Sequence, residues 1–269
     1  MAINHNKYAI VDFETGGIGD FRQPLSIGIV ILDPRRLEIV DNGLFYSLIR
    51  PYEDHEKYGL DPIDTKALQV NNLTIEELRL APPPKNVWEN VINFMKYHNP
   101  KGGEWDAPIF TGWNWPFDYQ IVDRLANGNN NGRQILKDKL PTKKVLKEMG
   151  DLEKSQYLEK IELVKEPYKF GGQKIFRPAP KIDVMQTFFL ATESAREPHR
   201  ANLSAARARL AFSDEGAHNA LVDCLWTAEI FVRFLRRERM VASETEFKTD
   251  GNSILGISEK ISDFFQKTT

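Results

Sequence analysis

Two acidic residues stand two positions apart near the beginning of the sequence. Asp12 and Glu14 follow an apolar run that begins at Tyr8 and predicts a buried β-strand. Since side chains i and i+2 of a strand point to the same face, the two carboxylates should lie side by side. Like charges this close repel each other, and a bound hard cation such as Mg²⁺ would relieve the repulsion. Without a cation, the pair would be expected at a solvated strand end.

A third acid, Asp118, follows a second candidate strand. The residues from Ala107 to Trp113 are typical of a short strand that runs into a turn, and a helix is predicted from Trp115 to Leu125. Asp118 therefore lies near the start of that helix, close to the end of the strand. An acid in this position also has an ordinary explanation, because it complements the helix dipole.

A histidine and a fourth acid occur late in the chain. His218 and Asp223 lie in the segment His218–Arg239, whose apolar residues recur at helical spacing. Histidine changes charge near neutral pH and can serve as a general base. Five positions on one helix correspond to about 140° around its axis, so we expect the two side chains to diverge and flank a shared site. The alternative is an unrelated His and Asp on a helix surface.

In this order, the three motifs resemble the DEDDh (DnaQ-like) 3′–5′ exonuclease superfamily, which includes the epsilon proofreading subunit of DNA polymerase III. The resemblance extends from about Lys7 to Val232, with insertions. Three further segments are similar to landmarks of that superfamily, namely Ala67–Leu78, Ile182–Thr187 and Ala217–Ala228.

The resemblance implies both a fold and a catalytic site. The fold is α/β of the RNase H-like type, with a mixed five-stranded sheet flanked by helices and an inserted subdomain. The site would hold two divalent metal ions, Mg²⁺ with Mn²⁺ as a substitute, and His218 would take a proton from the attacking water. The implied metal ligands are Asp12, Glu14, Asp118 and Asp223.

Residues next to the acids are expected to hold the 3′-terminal nucleotide. The resemblance implies this role for Phe13, Thr15, Gly16, Trp113 and Asn114. Trp113 departs from the superfamily, which often has histidine at that position. Aromatic faces can stack on unpaired bases, although the same aromatic residues could instead belong to the core.

The substrate implied by the resemblance is the 3′ end of single-stranded DNA, which would be shortened with release of nucleoside monophosphates. RNA is the alternative substrate, since no feature of the sequence reads a 2′-hydroxyl. The chain could also join a polymerase or another replication or repair protein as a subunit. Two other classes stay open: a nucleic-acid-binding module without catalysis, and an interaction protein with the same fold.

Composition narrows the function classes. The chain has 269 residues, a net charge of −2 and a single cysteine, Cys224. An intramolecular disulfide and a zinc site built from clustered cysteines are therefore excluded. The sequence contains no apolar window long enough to span a bilayer and no secretory signal at its start. We expect a cytoplasmic protein without a membrane partner.

The remaining pattern predicts an exonuclease domain over residues 1–240 and a tail over 241–269 that could contain a small helix. Early strands are predicted at Tyr8–Phe13, Leu25–Leu32 and Ile39–Ile49, followed by helices. About 65 positions separate Asp118 from Asp183, which is too long for an unstructured loop and predicts an insertion over about 134–177. This insertion is basic, which suits contact with phosphate, although a solvated helical face is the alternative. Its end is predicted to form a hairpin around Gly171 and Gly172.

Overall fold

The structure is a computed structural model that describes residues 6–128, 147–154, 168–192, 202–213 and 215–244. Most of the predicted insertion and nearly all of the predicted tail lie outside these ranges, so their predicted roles stay predictions. The chain divides into two compact units, Met1–Val232 and Arg233–Thr269. All candidate catalytic residues belong to the first unit.

A mixed sheet of five strands forms the centre of the first unit, as predicted. Its strands are β1 (Tyr8–Thr15), β2 (Pro24–Leu32), β3 (Ile39–Leu48), β4 (Ile109–Gly112) and β5 (Ile182–Asp183). The spatial order is β3-β2-β1-β4-β5. Pairing is antiparallel between β1 and β2 and between β2 and β3, and parallel from β1 to β4 and from β4 to β5. The parallel strands β1 and β4 therefore end at the same edge of the sheet.

Seven α-helices accompany this sheet in the described residues. They are α1 (Thr65–Val70), α2 (Ile75–Leu80), α3 (Pro84–His98), α4 (Trp115–Asn127), α5 (Val184–Thr192), α6 (Leu203–Arg209) and α7 (Ala220–Glu244). Two 3₁₀-helices span His55–Tyr58 and Gln173–Ile175, and residues 151–154 are also helical. None of the helices in the described ranges combines the length and the apolar character needed to cross a bilayer.

Local sequence signals explain where several helices begin. α2 starts with a capping box, in which Thr74 and Glu77 satisfy each other's backbone N–H groups. α3 begins at Pro84, because proline suits the first helical position. α3 packs its buried apolar residues into the core.

The core lies on the face of the sheet that receives the odd-numbered residues of β1. Ala9, Val11 and Phe13 are buried there, together with Trp88 of α3 and Ile121 of α4. The even-numbered residues of β1 point to the opposite face. Alternation along β1 thus separates a core face from the face that carries Asp12 and Glu14.

The predicted hairpin around Gly171 and Gly172 is wrong. Both glycines have positive φ angles, but the segment closes onto helices instead of forming two strands. The backbone N–H of Gly171 donates to the carbonyl of Ala126 at the end of α4, and the indole N–H of Trp88 donates to the Gly171 carbonyl. Tyr168 nearby is buried in the core. The end of the predicted insertion is therefore part of the sheet domain.

The last helix begins later than predicted. α7 starts at Ala220, and His218 precedes it in a left-handed conformation with φ 62°. The side chain of Asn219 accepts hydrogen bonds from the backbone N–H groups of Leu221 and Val222, which is the arrangement of a helix N-cap. This cap ends the preceding turn and leaves His218 outside the helix.

Candidate active site

A pocket of about 540 Å³ opens at the sheet edge where β1 and β4 end. It is lined by Asp12, Phe13, Glu14, Ile18, Trp113, Asn114, Phe117, Asp118, Met185, Asn202, Leu203, Ser204, Arg207, Ala217, His218 and Asp223. The structure thus brings the four predicted carboxylates and the predicted histidine to one pocket, although they come from three distant parts of the sequence.

β1 supplies the first two carboxylates as predicted. Asp12 and Glu14 share the face opposite the core, and Glu14 is only 9% exposed. Asp12 pairs in register with Gly28 of β2. Glu14 pairs with Ser26 of the same strand, so β2 fixes the backbone of both acidic residues, whereas the pairing of β1 with β4 ends at Ile10.

Asp118 reaches the pocket from the first turn of α4 and is 2% exposed. Asn114 precedes the helix in a left-handed conformation, with φ 60°, and this turn redirects the chain from β4 into α4. The carboxylate Oδ1 of Asp118 accepts a hydrogen bond of 3.0 Å from the backbone N–H of Phe13. That bond links the helix directly to the strand residue between Asp12 and Glu14.

Asp223 is brought to the pocket by a close approach of α7 to β2. A Cβ atom added to Gly28 would lie 2.4 Å from the carbonyl carbon of Ala220, so only glycine leaves room for the start of the helix. One turn further on, the thiol of Cys224 donates to the carbonyl of Gly28. The first turn of α7, which contains Asp223, therefore lies against the strand that pairs with Asp12.

His218 lies next to two of the carboxylates. Potential ligand atoms of Glu14, His218 and Asp223 all lie within 4.8 Å of one another. The prediction that His218 and Asp223 diverge on a common helix is therefore wrong, because His218 is not helical and the preceding turn directs it back toward Asp223. Its side chain is exposed, which places it at the rim of the pocket.

The buried carboxylates repel one another. Burial raises the pKa of Asp12 well above its ordinary value, and the charges of Asp118, Glu14 and Asp223 raise it further. Burial and the charge of Asp223 raise the pKa of Glu14 to about 7. The site without a cation thus favours partial protonation, and a cation would favour the charged carboxylates.

Two arginines offset part of this repulsion. Burial raises the pKa of Asp118, while the hydrogen bond from Phe13 and the charge of Arg22 lower it. Burial also raises the pKa of Asp223, against the opposing effect of Arg207. The Arg207 guanidinium lies 3.1 Å from Oδ1 of Asp223. Arg207 contacts Asp223 directly, whereas Arg22 acts on Asp118 through its charge without a direct ion pair.

The five residues expected to hold the terminal nucleotide separate into two groups. Trp113 and Asn114 line the pocket. The Phe13 ring is 4% exposed and packs in the core, so it is not available for stacking, and Phe13 contributes its backbone instead. Thr15 and Gly16 do not line the pocket: the Thr15 hydroxyl donates to the Gly17 carbonyl, and a Cβ on Gly16 would lie against Ile63.

Several lining residues were not identified in the sequence. Ile18 is 92% exposed at the pocket, on the loop between β1 and β2. An apolar residue among glycines directly after the acidic pair was an available signal for it. Arg207 gave no such signal, because a buried arginine in a short, alanine-rich helix cannot be told from a surface one by sequence pattern.

No protein-family model matches the sequence, and no curated protein matches it significantly. The fold, in contrast, is similar to solved structures of 3′-exonucleases. One is a 3′-exonuclease described in specific recognition of the 3′ end of a histone mRNA stem-loop; it is 14% identical, with a TM-score of 0.52 over 87% of this chain and 83% of that one. Another is a full-length 3′-exonuclease, 16% identical, with a TM-score of 0.55 over 88% of this chain and 63% of that one.

A further similar structure is Escherichia coli exonuclease I bound to a dT13 oligonucleotide. It is 12% identical, with a TM-score of 0.54 over 89% of this chain and 43% of that one. The same enzyme has been solved in a zinc-bound form with single-stranded DNA, with a TM-score of 0.51 and 12% identity over 89% of this chain and 42% of that one. The chain therefore spans less than half the length of exonuclease I.

These similarities show that the chain has the RNase H-like fold, as predicted. They concern the fold alone, so membership of the DEDDh superfamily and the narrower resemblance to the epsilon subunit stay predictions. At this level of identity, the substrates of the similar proteins say nothing direct about the substrate of this chain.

Proposed function

We propose that this protein is a metal-dependent 3′–5′ exonuclease that shortens single-stranded nucleic acid and releases nucleoside monophosphates. One observation carries the proposal: four carboxylates and a histidine from three separate parts of the chain line a single pocket. Buried like charges are unfavourable unless a partner of opposite charge compensates them. Clusters of ionisable groups with shifted pKa values concentrate at functional sites.

The donor set suits a pair of hard divalent cations. Carboxylate oxygens are the ligands that Mg²⁺ prefers, and Mn²⁺ accepts the same ligands. Asp12, Glu14, Asp118 and Asp223 would hold them, which would relieve the repulsion that raises the pKa of Asp12 and Glu14. When bound, the two cations would acidify a water molecule and stabilise the negative charge that develops on a phosphodiester.

His218 is the proposed general base. It neighbours Glu14 and Asp223, and its exposed position lets a ring nitrogen take a proton from a water molecule in the pocket and pass it to solvent. The carboxylates are already engaged as metal ligands in this scheme, so His218 is the remaining proton acceptor among the five residues.

The walls of the pocket suit a terminal nucleotide. Trp113 and Ile18 offer apolar surface, and the amide of Asn114 offers hydrogen bonds. In the described part of the chain, the buried indole N–H of Trp113 has no acceptor, so a substrate oxygen could accept from it. Because Phe13 is buried, base stacking falls to Trp113 and not to the residue between the two acids.

Single-stranded DNA is the favoured substrate, and RNA is the alternative. The preference for DNA rests on the resemblance of the motifs. It is in line with the fold similarity to exonuclease I, which was solved with dT13. Another similar 3′-exonuclease, however, recognises the 3′ end of a histone mRNA stem-loop. A polymerase partner and a cytoplasmic location stay predictions.

The test uses 5′-labelled single-stranded DNA and RNA of equal length, incubated with Mg²⁺, Mn²⁺ or EDTA. We expect a ladder of 3′-shortened products that disappears with EDTA and with Asp12→Asn. Asp41→Asn is the matched control, because Asp41 is an exposed acid on β3 outside the pocket. Comparison of the two polymers decides the substrate.

Three results would contradict parts of this proposal. Binding of either strand without shortening in both metals would identify an inactive binding module. Products shortened from the 5′ end, or a ladder that persists in EDTA, would contradict the proposed reaction. A ladder that survives in Asp12→Asn would assign the cleavage to a contaminating nuclease.

A further inference from the structure

Arg207 is the most deeply buried charged side chain that lines the pocket. It is 1% exposed and belongs to the short helix α6. Its Nη1 atom donates to Oδ1 of Asp223 at 3.1 Å. A guanidinium presents its donors in a rigid fork, so one arginine can hold a carboxylate and other acceptors in a fixed relation.

The other donors of Arg207 bind the backbone before His218. Nε donates to the Ser213 carbonyl at 3.2 Å, and Nη2 donates to the carbonyls of Ser213 and Glu215. The backbone N–H of His218 in turn donates to the Asp223 carboxylate. Arg207 thus joins Asp223 to the carbonyls of Ser213 and Glu215, which lie shortly before His218 in the chain.

We propose that Arg207 is a positioning residue that aligns Asp223 with the backbone leading to His218, and that its charge competes with a divalent cation for Asp223. The inference rests on the proposed function, since it assigns a regulator to the same metal site. The structure supports it through the direct ion pair of a would-be metal ligand, and through the bonds from the same guanidinium to Ser213 and Glu215.

Competition with the cation and positioning of Asp223 predict different effects of removing the Arg207 guanidinium: the first affects cation affinity and the second affects turnover. A cation held by Asp223 would lie close to the guanidinium, and like charges repel strongly where water is excluded. Removing the charge should therefore tighten cation binding. Removing the bonds to Asp223 and to the backbone should slow turnover, because ligands and base lose their alignment. A purely structural arginine would weaken both properties together.

The experiment titrates Mn²⁺ alone into metal-stripped full-length protein by isothermal calorimetry, without nucleic acid, and measures turnover separately. Arg207→Met removes the charge and the donors at similar length, and Arg207→Lys keeps the charge but loses the fork. Arg209→Met is the matched control, because Arg209 is exposed on the same helix. Circular dichroism checks that each variant is folded.

We expect Arg207→Met to bind Mn²⁺ about tenfold more tightly and to turn over about 10- to 100-fold more slowly. Arg207→Lys should keep the wild-type affinity within about threefold and still lose turnover. Arg209→Met should change neither property. Unchanged or weaker Mn²⁺ binding by a folded Arg207→Met variant would overturn the inference.

If Arg207→Met does not fold, Arg207→Lys tests the positioning role instead. Wild-type turnover in that variant, or loss of its Mn²⁺ binding, would exclude the positioning role. The proposed function fails separately: a wild-type protein that binds Mn²⁺ but shortens neither DNA nor RNA would disprove the exonuclease, while the calorimetric comparison of variants would still test the competition for Asp223.

Discussion

At the scale of single residues, two of the candidate catalytic carboxylates are held by partners from other parts of the chain. Oδ1 of Asp118 is held by the backbone of Phe13, which is 105 positions away. Asp223 is held by Arg207. These hydrogen bonds orient the two carboxylates before any ligand binds. A preorganised site avoids the free-energy cost of ordering its groups during the reaction.

The conformation of His218 decides which substitution tests it. Its φ of 62° lies in the left-handed region, which asparagine tolerates better than most residues. His218→Asn should therefore keep the local backbone while removing the base, and turnover should fall by about 10²- to 10⁴-fold. Quench-flow or gel-based kinetics with saturating substrate measure the change.

A metal-ligand role for His218 gives a different result. Because Mn²⁺ can bind imidazole as well as carboxylate, the same variant would then lose Mn²⁺ affinity in calorimetry. Retained affinity with slow turnover identifies the base, and lost affinity identifies a ligand. His55→Asn is the control for histidine loss, since His55 lies in a 3₁₀-helix outside the pocket.

At the scale of elements, the loop between β1 and β2 forms one wall of the pocket. Two buried arginines hold it: Arg22 donates to the Gly19 carbonyl and packs over the Phe117 ring, and Arg124 donates to the carbonyls of Asp20 and Arg22. The loop therefore presents Ile18 on a fixed backbone, although the side chain itself is exposed.

Replacing Ile18 with serine should weaken substrate binding without disturbing catalysis. The apolar side chain would be covered only when a nucleotide occupies the pocket, so its loss should raise KM by about fivefold and leave kcat within about twofold. Steady-state kinetics on a short oligonucleotide separate the two constants. A fall in kcat with unchanged KM would contradict a binding role for this loop.

β2 and α7 are packed so closely at Gly28 that no side chain fits between them. Gly28→Ala would drive a methyl group into the backbone of Ala220 and displace the start of α7. We expect a loss of about 1–3 kcal/mol in the free energy of unfolding, as is usual for overpacking, and a clear fall in turnover because Asp223 shifts. Urea denaturation and kinetics measure the two effects.

A matched substitution separates this steric effect from the general cost of changing glycine. Gly150→Ala places its methyl group in open space, with no atom within 4 Å. That variant should keep its stability and its turnover. Equal behaviour of Gly28→Ala and Gly150→Ala would show that α7 adapts and that the close approach is not needed to place Asp223.

Sequence patterns predicted the elements better than the connections between them. The strands β1 to β3 and the start of α4 follow from apolar runs and turn residues, which act locally. Asp12, Glu14, Asp118, His218 and Asp223 were also singled out from the sequence and line one pocket, while their catalytic roles stay predictions. What the pattern missed depends on tertiary contacts: the left-handed turn at His218, the packing of Gly171 against α4, and the burial of Arg207.

At the scale of the whole molecule, the acidic pocket links stability to pH and to cations. Glu14 has a pKa raised from 4.5 to about 7 in the folded protein. The folded state therefore binds a proton more tightly than the unfolded state. The resulting stabilisation is present at low pH and is lost as the pH rises from about 4.5 to about 7.

We expect the metal-stripped protein to melt roughly 5 °C lower at pH 8 than at pH 5.5. Saturating Mn²⁺ should raise the melting temperature at pH 8 more than at pH 5.5, because the cation displaces the proton. Differential scanning fluorimetry measures both effects. Glu14→Gln cannot ionise, so its pH dependence should be flatter than that of the wild type.

A higher melting temperature of the metal-stripped protein at pH 8 than at pH 5.5 would contradict this prediction. If the metal-stripped protein became more stable as the pH rises to 8, then Glu14 would not hold a proton in the folded state. The repulsion among the pocket carboxylates would in that case be relieved by another cation, for which Arg22 and Arg207 are the nearest candidates.

The hydrogen bond between Cys224 and Gly28 gives the protein a built-in reporter. Cys224 is the only cysteine in the chain, and its side chain is fully buried between α7 and β2. A thiol reagent can reach it only when the helix and the strand separate. The rate of labelling therefore measures how often this contact opens, so a chromogenic reagent could follow the assembly of the site in real time on the unmodified sequence.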